Sequence, residues 1–104
     1  MLKRIERGLL LAASLLMIAG CGEPSARELK NRQEFEALLT AVSLKDKTEL
    51  ENDASRIEDR HTSGELSESS YKALEAIIAK ARKGEWGEAQ ARAYEFREKR
   101  PYFK

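Results

Sequence analysis

A group of side chains that could bind a metal or move a proton lies in the middle of the sequence. The group comprises Glu49, Asp53, Glu58, Asp59 and His61, the only histidine. Carboxylates and an imidazole can ligate a divalent cation or share protons. On a helix, however, His61 lies one turn after Ile57, which is not an acid. We therefore expect no metal site and a structural His61, with a small metal or ligand sensor as an alternative function.

Three hydroxyls follow this group, at Ser67, Ser69 and Ser70. Nucleophilic catalysis would require a positioned base and an oxyanion site. The chain has no Gly-x-Ser-x-Gly motif, no glycine-rich phosphate loop and no dinucleotide-binding motif. Ser67 instead stands where a helix N-cap is expected. The sequence predicts no catalytic residue, no cofactor and no enzymatic activity.

The C-terminus combines basic and aromatic residues. They are Arg97, Lys99, Arg100, Tyr102, Phe103 and Lys104. Such a combination can rest on an anionic bilayer surface or bind an acidic partner. We predict that these are the partner-binding residues. The alternative is an ordinary basic helix end followed by a tail that folds back onto the core.

Composition indicates helices and excludes nucleic acid as a partner. Ala, Glu, Lys, Arg and Leu dominate, and Pro occurs only at positions 24 and 101. Residues 1–20 hold three of the 19 basic and one of the 18 acidic side chains, so the remainder is almost neutral. A nucleic-acid-binding domain usually has a basic face. With one cysteine, no intramolecular disulfide can form.

Apolar spacing and capping residues predict the elements that position these side chains. We expect a first helix from Ser25 or Ala26 to Val42, a second from Asp46 to Thr62 or Ser63, a third between the N-cap Ser67 and Gly84, and a fourth from Trp86 to Arg100. Ser43 could cap the second helix instead, or the first two could be continuous. Short connections favour antiparallel neighbours. The predicted fold is all-α, a small antiparallel bundle of three or four helices.

The N-terminus has three basic residues by position 7, an apolar run from Gly8 to Ile18 and then Ala19-Gly20-Cys21. The run is too short to span a bilayer comfortably. This arrangement resembles a bacterial lipoprotein signal peptide with its lipobox. The resemblance implies cleavage between Gly20 and Cys21 and acylation of Cys21, which would anchor the chain in a membrane. The alternative is an uncleaved signal anchor with a buried cysteine.

The resemblance also implies a domain organisation and a location. Residues 1–20 would be the signal peptide, 21–27 the lipidated cysteine with a short tether, and 28–104 the helical domain. The location would be the bacterial cell envelope, on the periplasmic side. Gly22, in place of the Asp that favours inner-membrane retention in enterobacterial lipoproteins, slightly favours the outer membrane.

The segment Gly84-Glu85-Trp86-Gly87-Glu88-Ala89 resembles the turn of a single tetratricopeptide-like helical hairpin, here spanning 67–100. Repeat arrays need about three such units, so a generic helical hairpin is the alternative. The resemblance implies binding rather than chemistry. We expect a non-enzymatic interaction module with an envelope protein partner; a structural envelope component that self-associates into a homo-oligomer is the other alternative.

Overall fold

A computed structural model describes residues 25–103. It contains four α-helices and a short 3₁₀ turn in that range, and no strand. The helices are α1 (Ala26–Leu44), α2 (Lys47–Thr62), α3 (Glu68–Arg82) and α4 (Trp86–Lys99), and the 3₁₀ turn is Pro101–Phe103. The predicted all-α bundle is confirmed, in its four-helix form. The signal segment 1–20, Cys21 and Lys104 lie outside the described residues.

Three helices begin at side-chain caps. The hydroxyl of Ser25 accepts a hydrogen bond from the Glu28 amide, at 3.1 Å. Asp46 and Ser67 accept in the same way from the amides three residues onward, at 3.1 and 3.2 Å. Each cap satisfies one of the amides that have no partner within the helix. Helix α1 therefore begins at Ala26, inside the predicted tether 21–27.

Residues with a left-handed backbone follow the first three helices. Gly64 and Gly84, which follow α2 and α3, have φ of 79° and 80°. A non-glycine residue, Lys45, has φ 55° and separates α1 from α2. The Asp46 amide then donates to the Ala41 carbonyl at 2.9 Å, which closes the end of α1. The first two helices are thus separate, and Asp46 rather than Ser43 caps the second.

The helices form a closed ring in which each packs antiparallel to the next. The start of α1 meets the end of α2, where the Asn31 amide group donates to the Glu65 carbonyl at 3.0 Å. The end of α1 meets the start of α4, where Gln90 donates to the Ser43 hydroxyl at 3.0 Å. Helices α1 and α3 therefore start at one end of the bundle, and α2 and α4 end there.

Three phenylalanine rings close the core at this end. Phe35 of α1 and Phe96 of α4 are stacked, with ring centroids 5.0 Å apart. Phe103 meets both rings edge-on, at 5.9 and 4.8 Å. Such aromatic pairs add to the free energy gained from burial. The aliphatic part of the core continues through Leu38, Val42, Leu50, Ile57, Leu66, Leu74, Ile77 and Ile78.

Candidate functional site

Lys104 lies outside the described residues, and the other five C-terminal residues predicted to bind a partner do not form one surface. Phe103 is buried in the core, so the prediction that it contacts a partner is wrong: its apolar ring completes the phenylalanine cluster instead. Arg97 turns toward α1, with its guanidinium 3.9 Å from Glu36. Tyr102 is half exposed at the bundle end. Of these five residues, only Lys99 and Arg100 share a surface, because both line a groove between α3 and α4.

This α3–α4 groove encloses about 250 Å³ and has an apolar floor with charged walls. The floor is formed by Ala73, Ala76 and the Phe96 ring. The walls are formed by Arg92, Lys99, Arg100 and Glu95, all from α4 or the residue after it. Three cations and one carboxylate therefore line the groove, and with Glu88, which pairs with Arg92, positive charges still outnumber negative ones. The small side chains of Ala73 and Ala76 leave the space above the floor open.

Arg100 is the most fixed cation of the groove. Its guanidinium lies 4.5 Å from the centre of the Phe96 ring, a cation–π contact. Its Nε donates to the hydroxyl of Ser70, a buried residue of α3, at 3.3 Å. The side chain therefore has one defined orientation, and its remaining N–H groups can bind an oxyanion.

Lys99 and Arg92 are held more loosely. Lys99 donates to Glu95 one turn earlier at 2.6 Å, and this hydrogen bond lowers the pKa of the Glu95 carboxyl. Arg92 lies 3.5 Å from Glu88. Exposed ion pairs at this spacing contribute little to stability, because solvent screens them. An incoming carboxylate could therefore displace either acid at small cost.

Arg92 is a groove residue that the sequence reasoning did not single out. It precedes Lys99 by seven residues, or two helical turns, which places both on one face of α4. That spacing could have predicted that Arg92 and Lys99 share a face. It could not have predicted that α3, with alanines at 73 and 76, packs opposite this face.

His61 is held by its neighbours on α3. Its ring stacks on Tyr71, with centroids 3.7 Å apart, and its Nε2 lies 2.6 Å from a carboxylate oxygen of Glu68. This hydrogen bond lowers the pKa of Glu68. Tyr71 in turn is hydrogen-bonded to Glu75, which raises the pKa of the tyrosine to about 12. His61 thus joins the end of α2 to the start of α3.

Asp53 belongs to a separate ion cluster between α1 and α2. Its carboxylate is fully buried and bonded to Arg56, which also donates to Glu34 of α1 at 3.0 Å. The second oxygen of Asp53 has no hydrogen-bond partner. Burial raises the pKa of Asp53, and this effect outweighs the opposing attraction of Arg56. The sequence identified Asp53 as a candidate but did not identify Arg56, the ion-pair partner of Asp53 three residues later.

The remaining predicted groups are dispersed. His61 and Asp53 are held in different clusters, and no three His, Cys, Asp or Glu side chains of residues 25–103 are arranged to hold a metal ion. Of the serines, Ser67 caps α3, Ser70 accepts a hydrogen bond from Arg100, and Ser69 is exposed. Within this same range, no helix is long and apolar enough to cross a bilayer.

No family model, no curated protein and no solved structure matches the chain.

Proposed function

We propose that this protein is a bacterial envelope lipoprotein that acts without catalysis, as a helical interaction module. Acylated Cys21 would anchor it in the membrane, and the α3–α4 groove would bind an envelope protein partner. The observation that carries the proposal is the groove itself, in which Arg92, Lys99 and Arg100 border an apolar floor. The lipobox-like Ile18-Ala19-Gly20-Cys21 supports the location.

The groove favours a partner with an acidic segment. Carboxylates of such a segment would form charge-assisted hydrogen bonds with the oriented guanidinium of Arg100. Small apolar side chains of the segment would cover Ala73, Ala76 and Phe96. The charges would mainly steer encounter and fix register, and the buried apolar floor would add affinity.

The anchor is tested by the intact mass of the protein purified from a bacterial host. We expect the wild-type chain to lack residues 1–20 and to carry acyl chains on Cys21. We expect Cys21→Ser to carry no acyl chain and to keep residues 1–20, because the modified thiol directs both steps. Gly22→Ala, a change just after the expected cleavage site between Gly20 and Cys21, serves as the control and should be processed like the wild type. A Cys21→Ser protein processed like the wild type would contradict the anchor.

The groove is tested by site-specific photo-crosslinking in the cell. A photoreactive residue at position 99 is compared with one at Ser55, an exposed residue of α2, diagonally across the bundle. We expect a discrete envelope protein to be captured from position 99 only. Arg92→Glu should weaken that capture about fivefold, equivalent to about 1 kcal/mol. Equal capture from both positions, or no effect of Arg92→Glu, would exclude the groove as the contact.

A further inference from the structure

One end of the bundle carries the attachment of the N-terminal segment, and we name it the tether end. It consists of the first turns of α1 and α3, the connection 63–67 between α2 and α3, and the 3₁₀ turn 101–103. A groove of about 370 Å³ at this end is lined by residues from all of them, among them Arg27, Leu66 and Tyr102. The other end of the bundle carries Leu44, Lys45 and Trp86.

Covalent geometry keeps the tether end close to any lipid attached at Cys21. Only residues 22–25 separate Cys21 from the first residue of α1. The five residue steps from Cys21 to Ala26 span at most about 18 Å when fully extended. Helix α1 alone rises about 28 Å over its length. The tether is therefore shorter than the bundle, and an upright bundle can present only its tether end to the bilayer.

The tether end offers side chains suited to a lipid interface. Tyr102 is 50% exposed, while its neighbour Phe103 is buried and fixes the turn that presents it. A tyrosine combines an apolar ring with a hydroxyl and is favoured at the boundary of a bilayer. Leu29, in the first turns of α1, is 41% exposed. Both side chains would bury apolar area in the headgroup region.

The tether end carries exposed charges of both signs. The side chains of Arg27 and Lys30 are more than half exposed, and each is paired with a carboxylate, at 3.3 and 3.7 Å. Glu28 and Glu68 are exposed acids in the first turns of α1 and α3, where they offset the positive ends of the helix dipoles. The short tether and the exposed apolar side chains, and not charge, therefore support contact with a bilayer.

We propose that the tether end rests on the bilayer, with the Tyr102 ring in the lipid headgroup region and Trp86 directed away from it. This inference depends on the acylation of Cys21 proposed above. It assigns the bundle an upright orientation, in which the bilayer contacts the tether end and the walls of the bundle stay accessible to a protein partner.

Tryptophan fluorescence tests the orientation, because Trp86 is the only tryptophan and lies at the opposite end. The protein purified from bacterial membranes is reconstituted into vesicles of phosphatidylethanolamine and phosphatidylglycerol that contain a phospholipid with a nitroxide near its headgroup. The fluorescence of the wild type shows whether Trp86 lies near the lipid headgroups. Trp86→Phe combined with Tyr102→Trp shows the same for the tether end. Trp86→Phe combined with Ser55→Trp reports on a bundle that lies on its side, and circular dichroism checks that each variant is folded.

We expect the tryptophan at position 102 to shift its emission to the blue and to lose intensity to the nitroxide, and the other two to do neither. Protein that floats with the vesicles but shows equal quenching at positions 102, 55 and 86, or the strongest quenching at 55 or 86, would overturn the orientation and leave the anchor intact. Protein that carries no acyl chain and does not float would overturn the proposed anchoring itself.

Discussion

Phe103→Ala is expected to destabilise the bundle by roughly 3–5 kcal/mol, the usual cost of removing a buried phenylalanine. The ring is 1% exposed and contacts Phe35 and Phe96, so its loss leaves a cavity that two large neighbours border. A domain of about 80 residues has a free energy of unfolding of roughly 4–12 kcal/mol. The variant should therefore lose a large part of its stability, although the residue stands next to the C-terminus.

The adjacent Tyr102 provides a matched control. Tyr102→Ala removes a ring of similar size that is half exposed, and it should cost less than about 1 kcal/mol. Phe103→Leu keeps most of the volume and should cost about 1–1.5 kcal/mol. Urea unfolding followed by circular dichroism measures all three variants. Equal losses at positions 102 and 103 would show that the tail does not belong to the core.

The burial of Phe103 also determines which variants can test whether residues 97–104 bind a partner. Deleting residues 97–104 would remove Phe103 together with the exposed groove residue Lys99. Loss of a partner on that deletion would therefore report unfolding as readily as loss of a contact. Point changes on the groove walls, such as Arg92→Glu, separate the two because Arg92 is exposed and lies outside the phenylalanine cluster.

The helices were predictable because their signals are local. Asp46 and Ser67 precede apolar periodic segments, and their hydroxyl or carboxylate bonds the amide three residues onward in the structure as expected. Lys45 gave no such signal, since a lysine seldom adopts a positive φ. At Lys45 the packing of α1 on α2, rather than the residue type, determines the backbone conformation.

The candidate site was less predictable because it depends on long-range contacts. The C-terminal basic and aromatic residues are adjacent in sequence, but the helical turn and the 3₁₀ turn direct them to different faces. Phe103 packs on Phe35, far away along the chain, and only the closed ring of helices brings the two together. Arg56 likewise joins Asp53 to Glu34 across two helices. Spacing within one helix indicates a shared face but not what lies opposite.

Arg56→Met is expected to destabilise the bundle by about 2–3 kcal/mol at pH 7. The change leaves the carboxylates of Glu34 and Asp53 buried without the guanidinium that both contact. We place the loss below the roughly 3–5 kcal/mol that is usual for breaking a buried pair, because Arg56 itself is 46% exposed and solvent screens it. Arg32→Met, the same substitution at a partly exposed arginine of α1, serves as the control and should change stability by about 0.5 kcal/mol or less.

Asp53→Asn should have the opposite sign, because burial already raises the pKa of this carboxyl above its ordinary value. A raised pKa in the folded state means that protonated Asp53 stabilises the fold at low pH, and that this contribution is lost as the pH rises through the raised pKa. The asparagine variant should therefore be more stable than the wild type at pH 7 and should lose that advantage near pH 4, about the ordinary pKa of an aspartate.

The two variants together separate the charge of Asp53 from its packing. The deficit of Arg56→Met should also shrink between pH 7 and pH 4, since protonation of Asp53 removes the buried charge that the arginine compensates. Urea unfolding at both pH values measures this change. A deficit that stays constant with pH, or an Asp53→Asn variant as unstable as Arg56→Met, would show that the contacts of Arg56 stabilise the bundle through packing and hydrogen-bond geometry rather than through compensation of a buried charge.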